Sequence, residues 1–346
     1  MNTRGYVATS AKTNLVPFEF SRRELGDHDV ALDIAFAGIC HSDIHQVNEE
    51  WGPSIFPMVP GHEIVGFVTK IGVAVTKFEV GERIGVGVYV DSCRTCDHCR
   101  AGLQQYCTNG ITPTYNGYER DGSTIVFGGY AKQFVVNEDY AVHVGDTLDL
   151  AGVAPLLCAG ITLFSPLRHW GAAKGKRVGI IGLGGLGHMG LKFAHALGAE
   201  TTVFSHSAGK RDDALRLGAD HFVVTNDVEG LAGQTDNYDL IINTVSADID
   251  LNPYVKLLAL DGTLVVVGLS GEASSIDSEL LVGRRRSIGG SMIGGMPELQ
   301  EMMDFCAEHS ITSDVEVISA DYINEAYVRT VASDVKYRFV IDAATF

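Results

Sequence analysis

The stretch "KRVGIIGLGGLG" (Lys176–Gly187) carries Val178, Ile180 and Ile181 straight into a cluster of glycines, and "GHMGLKFAHALG" (187–198) follows with apolar residues at helical spacing. A continuous apolar run bounded by glycine is the pattern of a strand buried on both faces. The series continues outward from it. "TTVFSHS" (201–207), "HFVVT" (221–225), "YDLIINTVS" (238–246), "GTLVVVGLS" (262–270) and "RSIGGSMIG" (286–294) read as five further strands. "RDDALRLGA" (211–219) and "PYVKLLAL" (253–260) read as helices between them. Apolar strands alternating with helices build a parallel α/β sheet. Six strands are the full count of a doubly wound, Rossmann-type sheet.

The first 150 residues have a different texture. "DVALDIAFAG" (29–38) alternates Val30, Leu32, Ile34 and Phe36 with Ala31, Asp33 and Ala35, the period of a half-buried strand. "EIVGFVTKIG" (63–72) and "GERIGVGVYV" (81–90) are short strands punctuated by glycine. From about residue 293 the chain returns to mixed character. The expected organisation is therefore a β-rich domain of residues 1–150 and 293–346, with a parallel-sheet domain of 151–292 inserted. At 346 residues, two domains are the natural number.

Gly182, Gly184 and Gly187 have the G-x-G-x-x-G spacing in the strand-to-helix context the motif requires. The first glycine makes the turn, the second admits a pyrophosphate to the backbone, and the third lets helix and strand pack closely. Gly185 and Leu186 complete the loop, and Val267, in the strand read over 262–270, is expected among the cofactor-binding residues. An NAD site wants a carboxylate at the end of the second strand, for the ribose hydroxyls. That strand ends instead in Ser205, His206 and Ser207, with Lys210 and Arg211 before the first acid, Asp212. Small hydroxyls and two cations suit a 2′-phosphate, so the expected cofactor is NADP(H).

A formal charge of −17 repels nucleic acid and anionic membranes. No run of 18 apolar residues suggests a membrane span, and "MNTRGYVATSAK" lacks a signal-peptide core. A cytoplasmic protein is expected. Arg284–Arg286 form the only basic cluster and read as surface charge. Seven cysteines in a reducing compartment argue for metal or catalysis over disulfides.

Four of those cysteines fall together. Cys93, Cys96, Cys99 and Cys107 follow C-x2-C-x2-C-x7-C, a set that closes around one zinc and leaves no position for water or substrate. An iron–sulfur cluster is the lesser metal reading. Any chemistry must lie with scattered residues: Cys40 in "AGICHSDIHQ", His62 and Glu63 in "VPGHEIVG", and Cys158 in "PLLCAGITLFSPL". A catalytic zinc takes three such mixed ligands and keeps one position open. Spacing alone does not join them.

"GHEIVG", "CHSDIH", the four-cysteine segment and "GLGGLG" occur in the order and spacing of the zinc-dependent medium-chain alcohol dehydrogenases, and the resemblance spans essentially the whole chain. "PLLCAGIT" and "FSHS" resemble the cinnamyl alcohol dehydrogenase branch and its NADPH-dependent microbial relatives. The resemblance implies a GroES-like β-rich catalytic domain beside the Rossmann domain. It implies two zinc ions per chain, with Cys40, His62 and Cys158 as catalytic ligands and Glu63 able to approach the metal. It further implies that Ser42 takes the alcohol proton, that His45 passes it to solvent, and that Asp43 orients His62. His41 would lie near the pyrophosphate and Thr162 near the nicotinamide. A primary alcohol or aldehyde, aromatic or medium-chain, is the implied substrate, and a homodimer paired through Ser287 to Ile293 the implied assembly. Trp51 reads as pocket wall or core. Cys306 reads as core, and His169, His188, His195, His221 and His309 as ordinary polar residues.

Three rivals remain. An NAD-dependent alcohol or polyol dehydrogenase would want the acid missing after "TTVF". A zinc-free quinone or enoyl reductase would not need the ligands or the Ser42 and His45 pair. A non-catalytic, crystallin-like binding protein would not need both an open and a closed zinc site.

Overall fold

In the computed structural model, which describes residues 1–271 and 273–346, the chain divides into two units: Met1–Ile161 with Gly294–Phe346, and Thr162–Ile293. The expected limit at 150/151 thus lies eleven residues early. The helix Leu150–Val153 and the turn Ala154–Leu157 pack on the strands Asp29–Gly38 and Ile64–Ile71, which keeps them in the first unit.

The first unit is organised by a mixed sheet in the order Val142–His143, Arg83–Val86, Ile64–Ile71, Asp29–Gly38, Arg338–Asp342 and Val315–Ile318. The ten-residue strand Asp29–Gly38 serves two neighbours on one edge. Its first half pairs with Gln133–Asn137, and its end pairs with Arg338–Asp342. The alternation read from the sequence predicts one solvated face, yet Asp33 is its only exposed residue. Ala31 and Ala37, in the set read as solvated, are buried as well.

The second unit holds six parallel strands: Arg177–Ile181, Glu200–Ser205, His221–Val224, Tyr238–Asn243, Leu258–Val266 and Ser287–Gly290. They lie in the order third, second, first, fourth, fifth, sixth, the doubly wound arrangement whose ligands bind at the carboxyl ends of the strands. One expected helix is shorter than its pattern. Residues 253–260 were expected to be helical throughout, but the helix spans only Asn252–Val255, and Leu258, Ala259 and Leu260 open a strand. Leu258 pairs with Tyr238, and strand pairing overrides an apolar run that fits either period.

Among the described residues no single helix is long and apolar enough to cross a membrane. Arg284 and Arg285 pair with Asp236 and Asp261, and Arg286 is buried on the Leu258 carbonyl and Asp236, so the basic cluster is consumed by ion pairs.

Candidate metal and cofactor sites

Cys40 enters its site because the strand Asp29–Gly38 ends just before it and the helix His41–Val47 begins just after it. As N-cap, Cys40 donates its backbone N–H to Asp43 Oδ2 at 2.9 Å. His62 and Glu63 immediately precede the strand Ile64–Ile71, and the Gly38 N–H binds the Glu63 carbonyl at 2.9 Å. Glycine is required at 38, because a Cβ there would lie 2.0 Å from Glu63 Oε2. Cys158 ends the turn Ala154–Leu157. Three distant segments therefore deliver one cluster. The ligand atoms of Cys40, His62, Glu63 and Cys158 all lie within 4.8 Å of one another.

The chemistry of this cluster suits a zinc ion. The Cys158 thiol donates to Cys40 and, against the effect of burial and with help from His62, holds the Cys40 thiol well below its ordinary pKa. The His62 Nδ1–H donates to Asp43 Oδ1 at 3.0 Å, which fixes the tautomer and leaves Nε2 for a metal. Burial pushes the Glu63 carboxyl up to about 7, against the pull of Arg338. The Arg338 guanidinium binds both Glu63 oxygens, at 2.6 and 2.8 Å, and the Ile39 carbonyl.

Ser42 Oγ lies 3.6 Å from Cys40 Sγ, and Ser42 is half-buried. His45 stands one turn further along the same helix, with Nδ1 bound to Glu50 and its ring stacked on Trp51 at 4.8 Å. His41 is exposed at the helix start. Trp51 is 46% exposed, so the core alternative for it fails. Glu50, Arg338 and Tyr130 are the partners that sequence reading missed. Glu50 had a local signal, five residues beyond His45. Arg338 had none.

The second metal candidate is the expected one. The sulfurs of Cys93, Cys96, Cys99 and Cys107 lie within 4.8 Å of one another, and among the described residues no cysteine is in a disulfide. Cys93 Sγ and Cys99 Sγ are 3.9 Å apart, close to the ~3.8 Å separation of two thiolates on a tetrahedral zinc with bonds of ~2.3 Å. The Cys96 N–H donates to Cys93 Sγ at 3.4 Å, and such backbone donors hold the Cys93 thiol down at about 5. Among the described residues no carboxylate or imidazole ligand enters this set.

In the second unit the glycine loop has the shape of a phosphate cradle. Gly182 has φ +90°, and a Cβ on Gly187 would meet the Gly182 carbonyl oxygen at 2.0 Å. A Cβ on exposed Gly184 would meet nothing within 4 Å, so the space above it is open to a ligand. Gly185 and Leu186 are half-buried, and the helix Gly187–Ala196 follows. Ser205 is buried at the end of its strand, and its Oγ accepts from the Ser207 N–H at 3.2 Å. His206 is exposed. Lys210 Nζ reaches back to the Leu183 carbonyl at 2.8 Å, which places this cation against the glycine loop. The Arg211 guanidinium sits 5.1 Å from the Phe222 ring centroid. Val267 follows the fifth strand and donates its N–H to the Asn243 carbonyl. Thr162 is buried on the first turn of the helix Ala159–His169.

Cys306 is fully buried, and His188 is a satisfied polar residue whose Nδ1 lies 3.1 Å from the Gly184 carbonyl.

Comparison with known proteins gives the chain's family. The family described as "Alcohol dehydrogenase GroES-like domain" matches residues 26–146, and that described as "Zinc-binding dehydrogenase" matches 185–308. The chain is 55% identical over 341 residues to NADP-dependent alcohol dehydrogenase C 1 of Mycolicibacterium smegmatis, covering 98% of this chain and 97% of that protein. Its fold is that of a cinnamyl alcohol dehydrogenase from Sorghum bicolor, with TM-score 0.96, 44% identity, and 99% and 98% of the two chains covered. The enzyme CAD from Helicobacter pylori, solved with NADP(H), gives TM-score 0.93 at 39% identity over 99% of each chain. With family matches on both units and identity sustained over the full length, the chain belongs to the zinc-dependent medium-chain alcohol dehydrogenases, on their cinnamyl alcohol dehydrogenase branch.

Proposed function

We propose that this chain transfers a hydride between NADP(H) and a primary alcohol or aldehyde, aromatic or medium-chain, and works chiefly as an aldehyde reductase. The observation that carries the reading is the gathering of Cys40, His62, Glu63 and Cys158 into one buried cluster, apart from a closed set of four cysteines. When bound, zinc supplies Lewis-acid polarisation of a substrate oxygen, and the nicotinamide supplies the hydride.

The chain's own residues do the rest. Cys40, His62 and Cys158 would hold the catalytic zinc with Glu63 in reserve, and Asp43 keeps the His62 tautomer fixed. Cys93, Cys96, Cys99 and Cys107 would hold the structural zinc. Ser42 Oγ would exchange the substrate proton. His45 lies three residues along the same helix face, its Nδ1 engaged by Glu50, and would relay that proton through Nε2. Gly182, Gly184 and Gly187, with Gly185 and Leu186, would seat the pyrophosphate, His41 would be a further cofactor contact, and Thr162 and Val267 would flank the nicotinamide. Ser205, His206, Ser207, Lys210 and Arg211 would bind the 2′-phosphate. We also propose a homodimer paired along Ser287 to Ile293, in the cytoplasm.

The test follows nicotinamide absorbance with an aromatic aldehyde, comparing NADPH and NADH at equal concentration in wild type and His62→Ala. The expected result is a large preference for NADPH and activity that depends on His62. Activity with NADH alone would overturn the cofactor assignment and leave the zinc chemistry standing.

A further inference from the structure

Asp43 is fully buried, and its carboxylate is fully engaged. Oδ1 accepts from His62 Nδ1 at 3.0 Å and from the Gly61 N–H at 3.2 Å. Oδ2 accepts from the Cys40 N–H at 2.9 Å and from the Tyr130 hydroxyl at 2.9 Å. Three of these donors belong to the ligands or to the residue beside one. The fourth, Tyr130, comes from a separate strap, 87 residues along the chain from Asp43.

That strap is built to hold the hydroxyl in place. The N–H groups of Gly128, Gly129 and Tyr130 bind the carbonyls of Val59, Gly61 and Pro60, so the strap runs along the segment leading to His62. Buried Arg22 grips the strap carbonyls of Phe127 and Gly128. The Tyr130 ring has no solvent exposure, and a Cβ on Gly61 would lie 2.6 Å from it.

We propose that Tyr130 is a positioning residue of the zinc site: its hydroxyl fixes the Asp43 carboxylate, which in turn aims His62. The inference rests on His62 being a zinc ligand. Without the hydroxyl, Asp43 keeps the Cys40, Gly61 and His62 donors, with the Tyr115 hydroxyl also close to it, but loses the one side-chain donor that the strap supplies to Oδ2, so its hold on the line that aligns His62 Nδ1 loosens. Partners that orient a ligand in this way are worth about 10–100-fold in metal affinity or activity. Tyr130 acts one step further out, and a loss of about tenfold is expected.

The test uses Tyr130→Phe, which preserves the ring, with Tyr238→Phe as control. Tyr238 loses a buried hydroxyl bonded to Thr202 and Gln234 in the other unit. The readouts are zinc per chain, the rate at which a chromogenic chelator removes the cluster's zinc, and kcat and KM. Y130F should release that zinc about tenfold faster and lose kcat at nearly unchanged KM, while Y238F changes neither. In a D43N background, Y130F should add nothing, since both act through one group. Wild-type release rates in Y130F, or undiminished effects of Y130F in D43N, would overturn the proposal. So would a Y130F chain that fails to fold while D43N folds, since that marks packing. Wild type with one zinc, unaltered by His62→Ala, would instead refute the ligand assignment.

Discussion

Replacing Arg338 with methionine removes the one cation that, among the described residues, pairs with Glu63. The guanidinium sits 2.6 and 2.8 Å from the two carboxylate oxygens and also binds the Ile39 carbonyl at 2.7 Å. Glu63 has no solvent exposure and Arg338 only 6%. Breaking such a pair from one side leaves a buried charge without compensation and costs about 3–5 kcal/mol. For a unit of roughly 200 residues this is a fall of about 6–20 °C in Tm. The double variant R338M/E63M removes both charges and keeps apolar volume, so it should recover most of that loss. Calorimetry on zinc-replete protein, with zinc content measured alongside, checks both. An R338M protein within about 1 kcal/mol of wild type would refute the argument, and so would a double variant no more stable than the single.

The glycine loop offers a paired test. In G187A the new Cβ meets the Gly182 carbonyl, an overpacking cost of about 1–3 kcal/mol that should appear in Tm and as a loss of ~10- to 100-fold in NADPH affinity; G184A, which meets nothing within 4 Å, should weaken NADPH with Tm unchanged. In the four-cysteine segment, C99S should lower zinc from two per chain to one and open exposed Arg94 and Arg100 to trypsin; retention of both zincs would contradict the assignment. Burial pushes the Asp29 carboxyl up, but Arg23 and the Gly26 N–H outweigh it and hold it below its ordinary value. The stabilisation from Asp29 is therefore present above the unfolded value of ~3.9 and is lost as the pH falls below it. Urea midpoints of wild type and D29N should differ at neutral pH and draw together under acid.

Much of this molecule was legible because its signals are local. The six parallel strands, the glycine loop and the four cysteines each declare themselves within a few residues. Where a segment could satisfy two patterns, tertiary pairing decided, as when Leu258 joined Tyr238 in the sheet and ended the helix read over 253–260. The scattered candidate ligands became a set through family resemblance, since nothing in the spacing of Cys40, His62 and Cys158 announces that they meet. Their supporting residues were invisible for a plainer reason. Arg338 is one arginine among many until a strand 275 residues later than Glu63 pairs beside Gly38. Tyr130 reads as any core tyrosine until its hydroxyl is seen on Asp43.

The sharing of one edge of Asp29–Gly38 between Gln133–Asn137 and Arg338–Asp342 has a consequence for biosynthesis. Domains settle largely in the order they are synthesised. A ribosome that has just released residues 1–161 has supplied Cys40, His62, Glu63 and Cys158, but half of the edge they depend on is still unpaired. Glu63 has no counter-ion at that stage, and the open edge is exposed to pairing with other chains. The whole parallel-sheet unit must emerge before Arg338 arrives to close both gaps at once. Such long-range closure is slow. The nascent chain thus passes through an interval with the thiols of the proposed metal site assembled but unshielded, and its demand for chaperones and for zinc should peak together at that point.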